Sequence, residues 1–316
     1  MAANTPIPIY RKYMGCCIDS IDACCLMEDH GPASYVVVNS HSNTKSFQCI
    51  LSLSVGESEG CFEIASTYPY LLPELVSTSE FVSNPLKPCI LSGLKDGRII
   101  TSTLSPDSVE HNEILFNHHN PISSIAHNKY TGLLSVSFED NTIIQQENEN
   151  KHNEFSPKYG CTRLLSVVPD QLFVLSAVAD HSFCIYENQQ PTLSIPCPRE
   201  HFYYSSITTN PVASNEVVMG CNDGWVMGYD LRQTSNSVFS YRAHSALVEK
   251  VCYVNEPIRS IISCSLDGSV FQKTQSGDGR EILCDRSCLL CCAAETEMGV
   301  VATGGQSGYL FIASYA

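Results

Sequence analysis

The stretch Asn215-Glu-Val-Val-Met-Gly-Cys-Asn-Asp223-Gly224-Trp225-Val-Met-Gly-Tyr229-Asp230-Leu231-Arg232 reads as an apolar run, an Asp-Gly turn, a second apolar run and an aromatic-Asp pair. Arg259 to Phe271 repeats the phrase around Asp267-Gly268, and Pro88 to Ile100 repeats it around Asp96-Gly97. Asp-Gly between two β-type runs signals a hairpin, because glycine accepts the positive φ that a tight turn needs. Markers of this kind fall at Asn43, Asp96, Asp140, Asp180, Asp223, Asp267 and Ser307. From Asp96 onward they stand 40 to 44 residues apart. The first interval is 53 residues and predicts a loop insertion around Ser54 to Ala65. Seven units at this period, with four strands each, predict an all-β, seven-bladed β-propeller spanning residues 1–316 as one domain.

A further strand precedes each hairpin: Ile21-Leu26, Val76-Val82, Ile122-Ala126, Leu164-Val168, Ser205-Thr209, Val248-Val254 and Cys288-Ala294. The variable stretches between units supply an outer fourth strand. The last unit stops too soon after Leu310-Phe311-Ile312 to hold its own. The β-compatible segment Ile7 to Tyr13 is therefore expected to complete it, closing the ring and covering its open edge. Pro6 and Pro8 suit an edge strand.

Composition narrows the function. Eighteen Lys and Arg against 33 Asp and Glu leave a net charge of −15. With no basic patch to neutralise phosphates, direct nucleic-acid or anionic-membrane binding is not expected. The N-terminus carries no signal-peptide pattern, and no apolar run reaches a membrane span. A reducing cytosol or nucleus is expected, so the 17 cysteines read as free thiols filling β-type core runs.

The period and the hairpin phrase resemble the WD-repeat family over nearly the whole chain. The family's strand-ending Trp-Asp appears as Tyr229-Asp230 and Tyr186-Glu187, and its entering histidine as His244 and as His118 or His119. The resemblance implies a structural network of His244, Ser263 or Ser265, and Asp267, incomplete because Lys273 stands where an aromatic partner belongs. The run Gly220 to Gln233, then Tyr241-Arg242-Ala243-His244, then Ile262 to Val270, is similar to the family of small propeller subunits of the nuclear pore's Y-shaped outer-ring complex. That similarity implies a non-catalytic scaffold at the nuclear envelope whose partners are other nucleoporins, supporting protein and mRNA transport. An alternative is a receptor of a cullin-RING ubiquitin ligase, placed in the cytoplasm and nucleoplasm.

Candidate sites carry two readings each. Arg232, in Asp230-Leu231-Arg232, either docks an adaptor through bidentate ion pairs or pairs locally with Asp230. Trp225 is either a surface anchor for a partner or a core residue. Cys284, Cys288, Cys291 and Cys292, like Cys16, Cys17, Cys24 and Cys25, are close enough to suggest a metal. An inner strand sends alternate residues to opposite faces, which favours core packing. His118, His119 and His127 have no nucleophile or carboxylate at motif spacing, and no nucleotide-binding or hydrolase motif occurs. The polar run Glu139 to Glu154 reads either as an acidic docking loop or, preferred, as a solvated outer strand and loop. No enzyme activity, cofactor, metal or small-molecule substrate is expected.

Overall fold

A computed structural model describes residues 9–28, 31–42, 45–55, 62–82, 88–105, 108–115, 118–128, 131–148, 151–156, 162–167, 174–178, 182–187, 190–198, 202–210, 213, 215–254, 259–285, 287–295 and 299–315. The turn markers Asn43 and Asp180, and Pro6 to Pro8 ahead of the first strand, lie outside the described residues.

The chain is an all-β β-propeller, with no helix among the described residues and none long and apolar enough to cross a membrane. Its strands form seven four-stranded antiparallel sheets. Ile9–Tyr13 is β1. The first sheet takes β2 (Cys17–Glu28), β3 (Gly31–Ser42), β4 (Lys45–Val55) and β5 (Phe62–Leu72). The second takes β6 (Val76–Val82), β7 (Cys89–Leu94), β8 (Arg98–Ser105) and β9 (Ser108–Leu115). The third takes β10 (Ile122–His127), β11 (Leu134–Phe138), β12 (Ile143–Asn148) and β13 (Lys151–Phe155). The fourth takes β14 (Thr162–Val167), β15 (Val174–Val178), β16 (Ser182–Glu187) and β17 (Gln190–Pro196). The fifth takes β18 (Tyr204–Thr209), β19 (Glu216–Cys221), β20 (Trp225–Asp230) and β21 (Phe239–Arg242). The sixth takes β22 (Val248–Val254), β23 (Ser260–Ser265), β24 (Ser269–Thr274) and β25 (Gly279–Cys284). The seventh takes β26 (Leu289–Glu295), β27 (Val300–Gly305) and β28 (Tyr309–Ser314), with β1 on its edge in register Tyr10↔Ile312 and Lys12↔Leu310.

The burial pattern explains the sequence pattern. Second strands such as β11, β23 and β27 are buried at every residue, so they read as unbroken small and apolar runs. Outer strands such as β1 and β21 alternate exposed and half-buried residues, because one face and one edge meet water. Apolar cores sit between neighbouring sheets: one joins Ile18, Val36 and Leu51 of the first to Val300 and Leu310 of the seventh. Innermost strands touch the innermost strands on either side, and β26 touches β2.

The innermost strand carries the same defect in each sheet. Its pairing slips by one residue between Ile18 and Ser20, Val76 and Thr78, Ile122 and Ser124, Thr162 and Leu164, Tyr204 and Ser206, Val248 and Lys250, and Leu289 and Cys291. A bulge at a fixed register adds local twist where the strands crowd together. It also presents one extra side chain per sheet.

The long first interval is not a simple loop. Ser54 and Val55 end β4 and Phe62 opens β5, so the extra residues lengthen strands of 11 or 12 residues. Residues 56–61 lie outside the described residues.

Candidate functional site

The phrase Asn215 to Arg232 builds β19, β20 and the turn that leaves them. Val217, Val218, Met219, Val226, Met227 and Tyr229 are buried. Trp225 is half-buried and packs against a core shared by the fourth and fifth sheets, which includes Phe183, Tyr204 and Tyr229. The Tyr229 and Tyr204 hydroxyls meet at 3.1 Å. No sequence pattern singles out Tyr204; its register opposite Cys221 brings it to Tyr229.

Three of the turn aspartates act alike. Asp96, Asp140 and Asp267 each accept the backbone N–H two residues on, from Arg98, Thr142 and Ser269 at 3.2, 3.0 and 3.0 Å. Such an Asx turn fixes the hairpin locally. Asp230 repeats it with the Arg232 N–H at 3.0 Å. It adds a bidentate pair, Nε to Oδ1 at 2.9 Å and Nη2 to Oδ2 at 2.5 Å. The Arg232 side chain is 71% exposed, yet its hydrogen bonds hold the Asp230 carboxyl down to about 2. A partner's carboxylate would have to compete with that pair for the guanidinium.

Beside this turn lies an apolar groove of ≈ 370 Å³ between the fifth and sixth sheets. Val238, Phe239, Tyr241 and Tyr253 wall it, and its charged lining is mixed, Arg259 and Lys273 with Glu216 and Asp230. Val238 is 69% exposed, unusually so for a β-branched apolar residue. Phe239 lies across from Gly228, where a Cβ would come within 2.2 Å of its ring. Glycine there makes the space that lets Phe239 lie down as a groove wall. Tyr253 donates to the Glu216 carboxylate at 3.1 Å, and burial raises its phenol to about 12. The Tyr241 hydroxyl is buried with no hydrogen-bond partner among the described residues. Lys273, read from sequence as a gap in a structural network, lies 5.6 Å from the Tyr241 ring centroid.

That network closes in a different way. His244 Nε2 meets Ser263 Oγ at 2.8 Å, its Nδ1 meets Ser269 Oγ at 2.7 Å, and Asp267 Oδ1 lies 3.5 Å away. The Ser269 hydroxyl supplies a contact that the sequence reading did not assign, and its Oγ donates to Asp267 at 2.6 Å. The third sheet has a simpler version: His118 Nε2 lies 2.9 Å from Asp140 Oδ2, and its ring packs 4.1 Å from that of Phe138. His119 is exposed, and burial holds the half-buried His127 below the ordinary imidazole range.

The cysteine runs diverge as strand geometry requires. Cys291 joins the core between the first and seventh sheets, and Cys292 the core between the sixth and seventh. Cys284 is exposed. No protein-family model matches the chain, and no curated protein matches it.

Proposed function

We propose that the chain is a non-catalytic protein-interaction scaffold: a WD-type propeller of seven blades that serves as a structural subunit of the nuclear pore's outer ring. The observation that carries the scaffold reading is the groove beside Asp230-Leu231-Arg232. Its aromatic walls and exposed Val238 suit an apolar side chain of a partner. The groove is built from Tyr229, Tyr241 and neighbouring residues of the run whose wording is similar to the outer-ring subunits.

The seven-blade, closed-ring reading draws its support from the seven sheets and from β1. The Met14 N–H bonds the Gly308 carbonyl at 2.8 Å, as Ala243 bonds Gly224 at 3.0 Å and Asp285 bonds Gly268 at 2.8 Å after the outer strands β21 and β25. That shared bond supports reading segment 9–14 as the outer strand of the last blade.

A fluorescently tagged chain is expected to give a punctate nuclear rim and to co-precipitate outer-ring nucleoporins, with Val238→Asp and Phe239→Ala losing them. Precipitation from nuclear envelopes without any outer-ring subunit overturns the assignment. The ligase-receptor reading requires Arg232 to leave Asp230 for an adaptor. Adaptor binding that is unchanged in Arg232→Ala rejects it.

A further inference from the structure

We infer that Cys17, Asp19 and His41 form a binding site for a divalent transition-metal ion of the zinc class. Cys17 and His41 are direct cross-strand partners on β2 and β3, which puts their side chains on one face. The bulge between Ile18 and Ser20 inserts Asp19 and turns it toward the same place. His41 Nδ1 lies 2.7 and 2.8 Å from the two Asp19 oxygens. The sulfur, nitrogen and carboxylate ligand atoms all lie within 4.8 Å of one another, and all three residues are half-buried, so an ion can reach them from water.

The donor set is what zinc takes: one thiolate, one imidazole and one carboxylate, leaving a fourth position for water. Thiolate and carboxylate together balance the two charges of the ion. A tetrahedral zinc holds its ligand atoms roughly 3.3–3.7 Å apart, so binding asks His41 to move off Asp19 by about an ångström while the thiolate closes in. The ion displaces the thiol proton, which is released to solvent, while His41 ligates as the neutral imidazole through one ring nitrogen and keeps its proton on the other.

The repeat itself supplies the control. The same three register positions hold Leu75, Ser77 and Lys95 in the second sheet, and Pro121, Ser123 and Glu139 in the third. They hold Tyr203, Ser205 and Asn222 in the fifth, and Leu247, Glu249 and Leu266 in the sixth. None of these is a ligand triple, so the fold does not require one. The bulge serine has a structural task elsewhere: Ser77 Oγ donates to the Ile122 carbonyl at 2.5 Å, and Ser205 Oγ to the Val248 carbonyl at 2.7 Å, each stapling one innermost strand to the next. The Asp19 carboxylate has no proton to give there. The first sheet has exchanged a staple for a ligand.

The test uses the full chain, reduced with a phosphine and stripped by a chelator, titrated with Co²⁺ alone and then with Zn²⁺. The expected result is one equivalent of tetrahedral cobalt with a thiolate-to-cobalt charge-transfer band, bleached by Zn²⁺. Cys17→Ser loses the band, and His41→Gln weakens binding by at least the ~10–100-fold that loss of even an outer-shell partner costs. Asp19→Ser restores the serine used by the second, third and fifth sheets, so it keeps the fold while losing the ion. No saturable one-equivalent band in the parent chain, or the same band in Cys17→Ser and Asp19→Ser, overturns the site.

Discussion

At the residue scale, His244 shows how a titratable side chain serves the fold. Burial holds its imidazole below the ordinary range, although Asp267 pulls the other way. Burial likewise opposes the Asp267 charge, but hydrogen bonds from Ser269 and from the Ser245 N–H outweigh it and hold the carboxyl down to about 2. Both folded-state values lie below the unfolded ones. The His244 contribution is full above the ordinary imidazole pKa of 6.5 and falls as pH drops below it; that of Asp267 is present above 3.8 and lost as pH falls through about 2. His244→Ala strips partners from two buried hydroxyls and is expected to cost about 1–3 kcal/mol in urea unfolding at pH 7. It should also make stability less sensitive to pH between 7 and 5. An unchanged pH slope would show that His244 does not titrate with folding. The aspartate was legible from the repeated turn phrase, and the histidine only from the resemblance to WD repeats. Ser269 was not, because a serine after a turn glycine has no signature until the sheet curls it beneath the imidazole.

At the element scale, periodicity placed the strands well. Val76–Val82 and Val248–Val254 fall where the apolar pattern put them. The bulge in each innermost strand left no trace in a hydrophobicity pattern, because the inserted position holds Asp19, Ser77, Glu249 or Leu290 with equal ease. The most consequential element is β1. Its five residues pair with β28 along its whole length, and the Arg11 guanidinium lies 3.7 Å from the Tyr309 ring centroid. Removing residues 1–13 should uncover the edge of Tyr309–Ser314, where Leu310, Phe311 and Ile312 are buried. The expected outcome is a lower melting temperature together with concentration-dependent light scattering. A truncated chain that melts like the full one and stays monodisperse would show that the edge needs no cover.

At the scale of the whole molecule, seven innermost strands bring together residues far apart in sequence. Asp22 of β2 and Glu80 of β6 lie near each other, and Lys250 of β22 acts on both. All are reached by water, yet protein surrounds the two carboxyls. Burial raises both, and Asp22 raises Glu80 further, while Lys250 opposes the rise. A raised folded-state pKa means stability that is full below the ordinary carboxylate range and lost as pH climbs through the raised value. Glu80→Gln keeps the neutral shape. It is expected to be more stable than the parent at pH 8, with the gain shrinking toward pH 5, measured by chemical denaturation at both. Equal differences at the two pH values would place Glu80 outside the pair.

The sequence by itself determined the strands, the turns and the period, because hairpin chemistry at Asp96, Asp140 and Asp267 is local and needs only the next few residues. It also carried the expectation of a strand ahead of the first unit, in the β-compatible run that ends at Tyr13. The tertiary structure alone decided what those strands bring together. Cys17 meets Asp19 and His41 because a bulge sets the register, and Phe239 walls a groove because Gly228 leaves it room. Asp22 finds Glu80 because innermost strands converge. Each of these contacts depends on where one sheet stands against another or how two strands slip, and neither is written in the order of residues along one strand.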